Sequence, residues 1–142
     1  MTTPAQSDAR ATRILHAALT GGVASLAVVA YLVPRMLGPL LSDDRSRSVA
    51  AAACTAMAVL PIGIGLLVAR RRLPAPGPGS PDEAYWTPEA RGAAIMLWAL
   101  ADGGAICGFV GYMLTARLAP ALMGVVGLAA LLWYTPGRLA RE

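Results

Sequence analysis

Lysine is absent from this 142-residue chain, histidine occurs once and cysteine twice, and Asp, Glu and Arg together make up only 14% of it. Soluble domains carry about 25% charged residues. So few charges, beside 56% hydrophobic residues and a mean hydropathy of +0.57, exclude water as the only solvent. One histidine excludes a bis-histidine haem site. Two cysteines far apart, Cys54 and Cys107, exclude a disulfide scaffold, a four-ligand zinc site and a paired-thiol oxidoreductase. No metal and no other cofactor is expected. The 12 arginines against 8 acids leave a net charge of +4. They lie between long apolar runs and form no single basic face, which excludes a nucleic-acid-binding module.

What is present is apolar sequence in span-length pieces. A membrane-crossing helix needs about 20 largely apolar residues at ~1.5 Å rise each. Four segments qualify: 14–33 between Arg13 and Pro34, 49–69 against Arg70-Arg71-Arg72, 92–116 between Arg91 and Arg117, and 118–134, closed by Trp133-Tyr134 and Pro136. The first run is too long for a secretory signal and no small-residue cleavage site follows it, so it reads as a retained helix. The expected fold is all-α: a single polytopic membrane domain over 1–142, with four transmembrane helices in an antiparallel bundle. Residues 70–91 carry Pro74, Pro76, Pro78, Pro81 and Pro88 with Gly77 and Gly79, which predicts an extended cytoplasmic strap. The near-absent connection around Arg117 makes the last two helices a tight hairpin.

Arginine placement sets the orientation. Arg10, Arg13, Arg70, Arg71, Arg72, Arg91, Arg138 and Arg141 fall on one side of this topology, and Arg35, Arg45, Arg47 and Arg117 on the other. Positive charge is retained on the cytoplasmic side, which places both termini inside, in the cytoplasmic membrane. Trp98, Trp133 and Tyr85-Trp86 read as anchors at the membrane interface, His16 as an interfacial polar residue, and the two cysteines as small apolar fillers.

Asp102 is the costly residue. It stands ten residues into the third span, about 15 Å from the inner end and so near the midplane. A carboxylate there costs about 2.5–3.5 kcal/mol, while the stronger apolar residues of that helix return about 2–4 in total. The two nearly cancel, so Asp102 must be protonated, partnered or facing water. No arginine lies within a span. The hydroxyl partners on offer are Thr20, Ser25, Thr55 and Tyr112.

Gly104, Gly108 and Gly111 recur at i, i+4 and i+7 and make a small-residue face that lets another backbone approach. Gly104 lies about 200° around the helix from Asp102. The carboxyl and the glycine face therefore point in nearly opposite directions. If the glycines pack inside the chain, Asp102 turns outward toward another protein. If Asp102 points inward, the glycines become the oligomer contact.

The helix carrying both runs from Thr87-Pro88-Glu89 through Ala101-Asp102-Gly103-Gly104 to Leu114. Over these 28 residues it resembles the second helix of the rotary ATP synthase c subunit (proteolipid), which enters after a Pro-Glu start and bears one carboxylate amid Ala and Gly. That resemblance implies a proton- or sodium-binding role for Asp102. The family's short polar loop is replaced here by Arg70-Arg71-Arg72 and the strap. Its glycine-repeat first helix is reduced to Ile62-Gly63-Ile64-Gly65 after Pro61, and two further helices are added.

Enzyme signatures fail on inspection. Asp102-Gly103 lacks the Ala-Arg and the two later aspartates of the CDP-alcohol phosphotransferases. Gly22-Val23-Ala24-Ser25-Leu26 lacks the Gly-x-Ser-Gly of rhomboid-type proteases. The expected function is that of a non-enzymatic small integral membrane protein, an accessory or interaction subunit of a membrane complex or homo-oligomer. The alternative is a proton- or cation-translocating oligomer with Asp102 as its ion-binding carboxylate. The expected partners are the lipid bilayer and other membrane protein, with no nucleic acid and no soluble substrate.

Overall fold

The computed structural model describes residues 4–75 and 82–141. Residues 76–81, with Pro76, Gly77, Pro78, Gly79 and Pro81 of the expected strap, lie outside the described residues. Among the described residues six α-helices follow in order: α1 (Pro4–Leu37), α2 (Asp44–Ile64), α3 (Asp82–Tyr85), α4 (Pro88–Thr115), α5 (Leu118–Trp133) and α6 (Pro136–Leu139). Beyond Ile64 the second helix widens into a π turn at Gly65–Ala69 and tightens into a 3-10 turn at Arg70–Arg72. No strand occurs among the described residues.

Three of these helices are long and apolar enough to cross a membrane: Gln6–Leu37, Asp44–Arg72 and Pro88–Thr115. The fourth apolar helix, α5, has 16 residues. At ~1.5 Å per residue it is about 24 Å long, short of the ~30 Å hydrocarbon thickness.

The helix termini follow local chemistry. Thr87 caps α4, its hydroxyl accepting the Ala90 N–H, and Pro88 fills the first helical position, where no N–H is needed. Helix α1 outruns the apolar segment 14–33 at both ends. Pro34 withholds one N–H without stopping the helix. The stop comes at Gly38, whose φ of +76° suits a left-handed cap and whose N–H returns to Pro34 O at 3.1 Å. Before α2, the Asp43 carboxylate accepts the Ser46 N–H at 2.7 Å.

Helix α4 is the centre of the molecule. Buried residues make up 44% of its apolar stretch, against 22% for α2 and 11% for α1. Contacts along it fix the directions of its neighbours. Gly65, Ala58 and Cys54 of the second helix lie against Leu97, Gly104 and Gly111 in turn, so the two run opposite ways. On α5, Gly127 lies against Ala101 and Ala105, and Gly124 against Gly108 and Phe109, again in opposite order. Helix α1 runs alongside α4, from the Asp8–Arg91 ion pair at 3.1 Å, through His16 on Trp98, to the loop beyond Leu37. There Leu40 and Leu41 donate to Met113 O and Leu114 O, closing the last turn of α4.

The expected strap is partly structured. Arg70–Arg72 continue the second helix and α3 adds a single helical turn. Tyr85 and Trp86 are buried rather than laid on a surface: Trp86 meets the fully buried Trp98 at 6.2 Å with the rings tilted by 44°, and Tyr85 meets Trp86 edge-on at 5.1 Å. Three large aromatic faces gain more by meeting one another than by remaining exposed.

Two expectations follow for the helix ends. Between α4 and α5 only Ala116 and Arg117 intervene, and Ala116 adopts φ +53°, the left-handed region. Holding a non-glycine residue there costs about 1–2 kcal/mol. Ala116→Gly is therefore expected to stabilise the protein by up to about 1 kcal/mol after the extra chain entropy of glycine, read from the midpoint of detergent-induced unfolding. The Asp43 carboxyl is held below its ordinary value, chiefly by the Ser46 N–H. Its capping contribution is present above the unfolded carboxyl pKa of about 3.9 and is lost as pH falls through the lower folded value. Amide exchange at Ser46 should accelerate below about pH 4 relative to Asp43→Asn, which caps without titrating.

Candidate functional site

The glycines singled out in α4 sit at its closest contacts with the rest of the chain. A Cβ placed on Gly104 would meet Ile62 Cγ1 at 2.5 Å and Ala58 O at 2.9 Å. One on Gly111 would meet Cys54 Cβ at 2.5 Å and Pro120 Cβ at 2.9 Å. On Gly108 it would run into the Gly124 backbone, with Pro120 O at 2.7 Å. The stripe thus fills the fork between α2 and α5, and lies within the chain. Alanine at these positions would push two backbones apart.

Asp102 lies on the other side of the same helix, partly exposed. Around it Ala99, Met96 and Ile106 are exposed, and a Cβ on Gly103 would meet nothing within 4 Å. Among the described residues no hydrogen bond or ion pair reaches its carboxyl. The nearest arginines along the chain are engaged elsewhere. Arg91 pairs with Asp8 at 3.1 Å, and Arg117 pairs with Asp44 at 2.7 Å.

The hydroxyls that might have met Asp102 do not. Ser25 donates to Gly21 O and Thr55 to Ala51 O, each along its own helix. Tyr112 is ten residues on, about 15 Å along α4. The register of α1 on α4, with His16 beside Trp98, brings Thr20 to the level of Asp102. Its Oγ1 is nonetheless buried without a partner. Among the described residues no group of three or more His, Cys, Asp and Glu gathers at one place.

One cluster was not anticipated from the sequence. Helix α5 ends just before Pro136 and leaves its last carbonyls unpaired. Two ring donors from other helices reach them. Trp98 Nε1 donates to Tyr134 O at 2.7 Å, and His16 Nε2 donates to Leu131 O at 2.9 Å, which requires the proton on that nitrogen. His16 also meets the Trp98 ring edge-on at 4.8 Å, and Arg70 lies 5.8 Å from the centre of the Tyr134 ring. His16 and Trp98 are thus buried structural donors. The signal was available in Pro136, which ends a helix and so creates acceptors that need N–H groups.

The glycine contacts have a direct test. Gly108→Ala forces a methyl into the Gly124 backbone and is expected to destabilise by about 1–3 kcal/mol, the usual range for overpacking. Gly103→Ala enters open space in a helix interior and is expected to be neutral or stabilising by up to about 1 kcal/mol. Detergent-induced unfolding followed by tryptophan fluorescence compares the two.

Comparison with protein-family models, with curated proteins and with solved structures finds no match to this chain, so its function is argued from Asp102 and its surroundings.

Proposed function

We propose that this chain is a single polytopic domain of a prokaryotic-type cytoplasmic membrane, with four transmembrane helices in an antiparallel bundle and both termini inside. It acts without catalysis, as an accessory or interaction subunit that packs laterally against other membrane protein or further copies of itself. Large apolar side chains such as Ile14, Leu67 and Val125 project outward and suit lipid. The alternating directions of the helices packed on α4 support an even number of crossings. A tilt of the longer helices, with local thinning of the bilayer, accommodates the shorter α5.

One observation carries the interaction role. Asp102 is partly exposed at mid-height on α4 and has no partner among the described residues, while the glycine stripe opposite is already used inside the chain. Lipid is a poor neighbour for a carboxyl, and a second protein surface offering a donor is a good one. Gly103 and Ala99 beside it leave room for a close helix.

A second reading rests on the same carboxyl. No arginine neutralises it, so it is free to take up and release a proton or a cation, as its resemblance to the c-subunit helix implies.

The two readings separate on one pair of variants. Cross-helix hydrogen bonds in membranes are worth about 0.6 kcal/mol and at most about 1.7, a factor of roughly 3 to 20 in association. Under the interaction role, Asp102→Leu weakens association by that factor, and Asp102→Asn, which still hydrogen-bonds, leaves it nearly intact. Energy transfer between labelled copies in nanodiscs reads self-association; co-purification of native membrane partners reads the accessory case. If Asp102→Asn instead abolishes proton or sodium flux into proteoliposomes, the translocation reading replaces it.

A further inference from the structure

Where the second helix ends beside the start of α4, the molecule has a cleft of about 700 Å³, bordered by Arg71, Arg72, Leu73, Glu89, Gly92 and Met96. We propose that it holds the phosphodiester head of one anionic phospholipid. Arg71 and Arg72 bind the phosphate, and an acyl chain descends beside Gly92 and Met96. The proposal rests on the membrane reading above, which puts the ends of both long helices at the cytoplasmic surface.

Three features converge on that ligand. Most arginines of known placement have a partner: Arg91 meets Asp8, Arg117 and Arg47 meet Asp44, and Arg70, Arg35 and Arg138 lie over aromatic rings. Arg71 and Arg72 are exposed and make no ion pair or hydrogen bond with any described residue. Two adjacent guanidiniums left open at one cleft are a ready phosphate clamp. The first turn of α4 adds the positive end of a 28-residue helix on the same rim.

The charge balance favours a singly charged head. Glu89 stands on the same rim, so two guanidiniums and one carboxylate leave a net +1, matched by one phosphodiester. The lower part of the cleft is apolar. A Cβ on Gly92 would meet nothing within 4 Å, and Met96 is partly exposed just below it. That open, side-chain-free strip beside α4 is where a chain of methylene groups can lie. A free phosphate would use the clamp and leave the strip empty.

Native mass spectrometry of the full chain, released from mixed micelles of phosphatidylglycerol and phosphatidylcholine, tests this. The wild type should retain phosphatidylglycerol selectively. Arg71→Gln/Arg72→Gln should reduce that retention roughly thirtyfold, the effect expected for two arginines at an anionic surface. Arg10→Gln/Arg13→Gln removes the same charge at the same end, outside the cleft, and should leave retention within about threefold. Gly92→Leu fills the strip without altering charge or straining the helix, and should also lower retention. Equal losses in the two arginine pairs, no effect of Gly92→Leu, or displacement by millimolar inorganic phosphate would each overturn the lipid site. Extraction from native membranes by alkaline carbonate is measured alongside. A chain that is extracted refutes the membrane reading itself, whereas a retained chain without lipid preference refutes only the cleft.

Discussion

Everything in this chain is arranged around the close approach of one helix backbone to two others. On the proposed membrane reading, apolar side chains gain nothing by leaving lipid for one another, so the helices are held by packing and by polar bonds between them. Glycines at 104, 108 and 111 of α4 let α2 and α5 come close enough for both to act. Gly124 and Gly127 of α5 return the approach from the other side. With α2 and α5 on that seam and α1 packed alongside through His16 and Trp98, Asp102 is left on a partly exposed face of α4. The position of the carboxyl is thus a consequence of where the glycines are, two residues and about 200° away.

The end of the molecule that holds most of the arginines is joined differently. Its aromatic residues converge on Trp98, and the two ring N–H groups of Trp98 and His16 satisfy carbonyls that the short α5 cannot satisfy itself. An unmatched carbonyl in an apolar setting is expensive. The His16 bond ties α1, the least buried of the three long apolar helices, to the end of α5, and the Trp98 bond ties α4 to it. At the other end, Arg117 reaches both Asp44 and Ser48 and ties the α4–α5 turn to the start of α2. The first is an exposed ion pair and the second an exposed hydrogen bond, each of small individual worth.

Helix existence was legible from composition, because a run of about 20 apolar residues leaves few alternatives. Terminal positions were less so. Pro34 looked like an end, yet the turn that stops α1 is made by Gly38, since proline removes a donor while only a left-handed residue reverses the chain. The opposition of Asp102 and Gly104 followed from helical geometry alone. Which of the two faces inward did not, because that depends on contacts with Ala58, Ile62 and Gly124, far away in sequence. The burial of Tyr85 and Trp86 was hidden for the same reason. An amphipathic aromatic suits an interface and a cluster equally well, and only the position of Trp98 decides between them.

The bond from His16 to the carbonyl of Leu131 spans 115 residues. During synthesis the imidazole therefore exists long before its acceptor, and the end of α5 is completed only when the last part of the chain has emerged. Under the proposed membrane reading, the helix with Asp102 is nearly balanced in its own transfer into lipid, so it gains by arriving beside α1 and α2. The end of α5 then joins α1 and α4, when its final carbonyls meet the rings of His16 and Trp98. A truncation before Leu131 would remove the acceptor of the His16 bond and leave α1 held by α4 alone, through Asp8–Arg91 and His16 on Trp98.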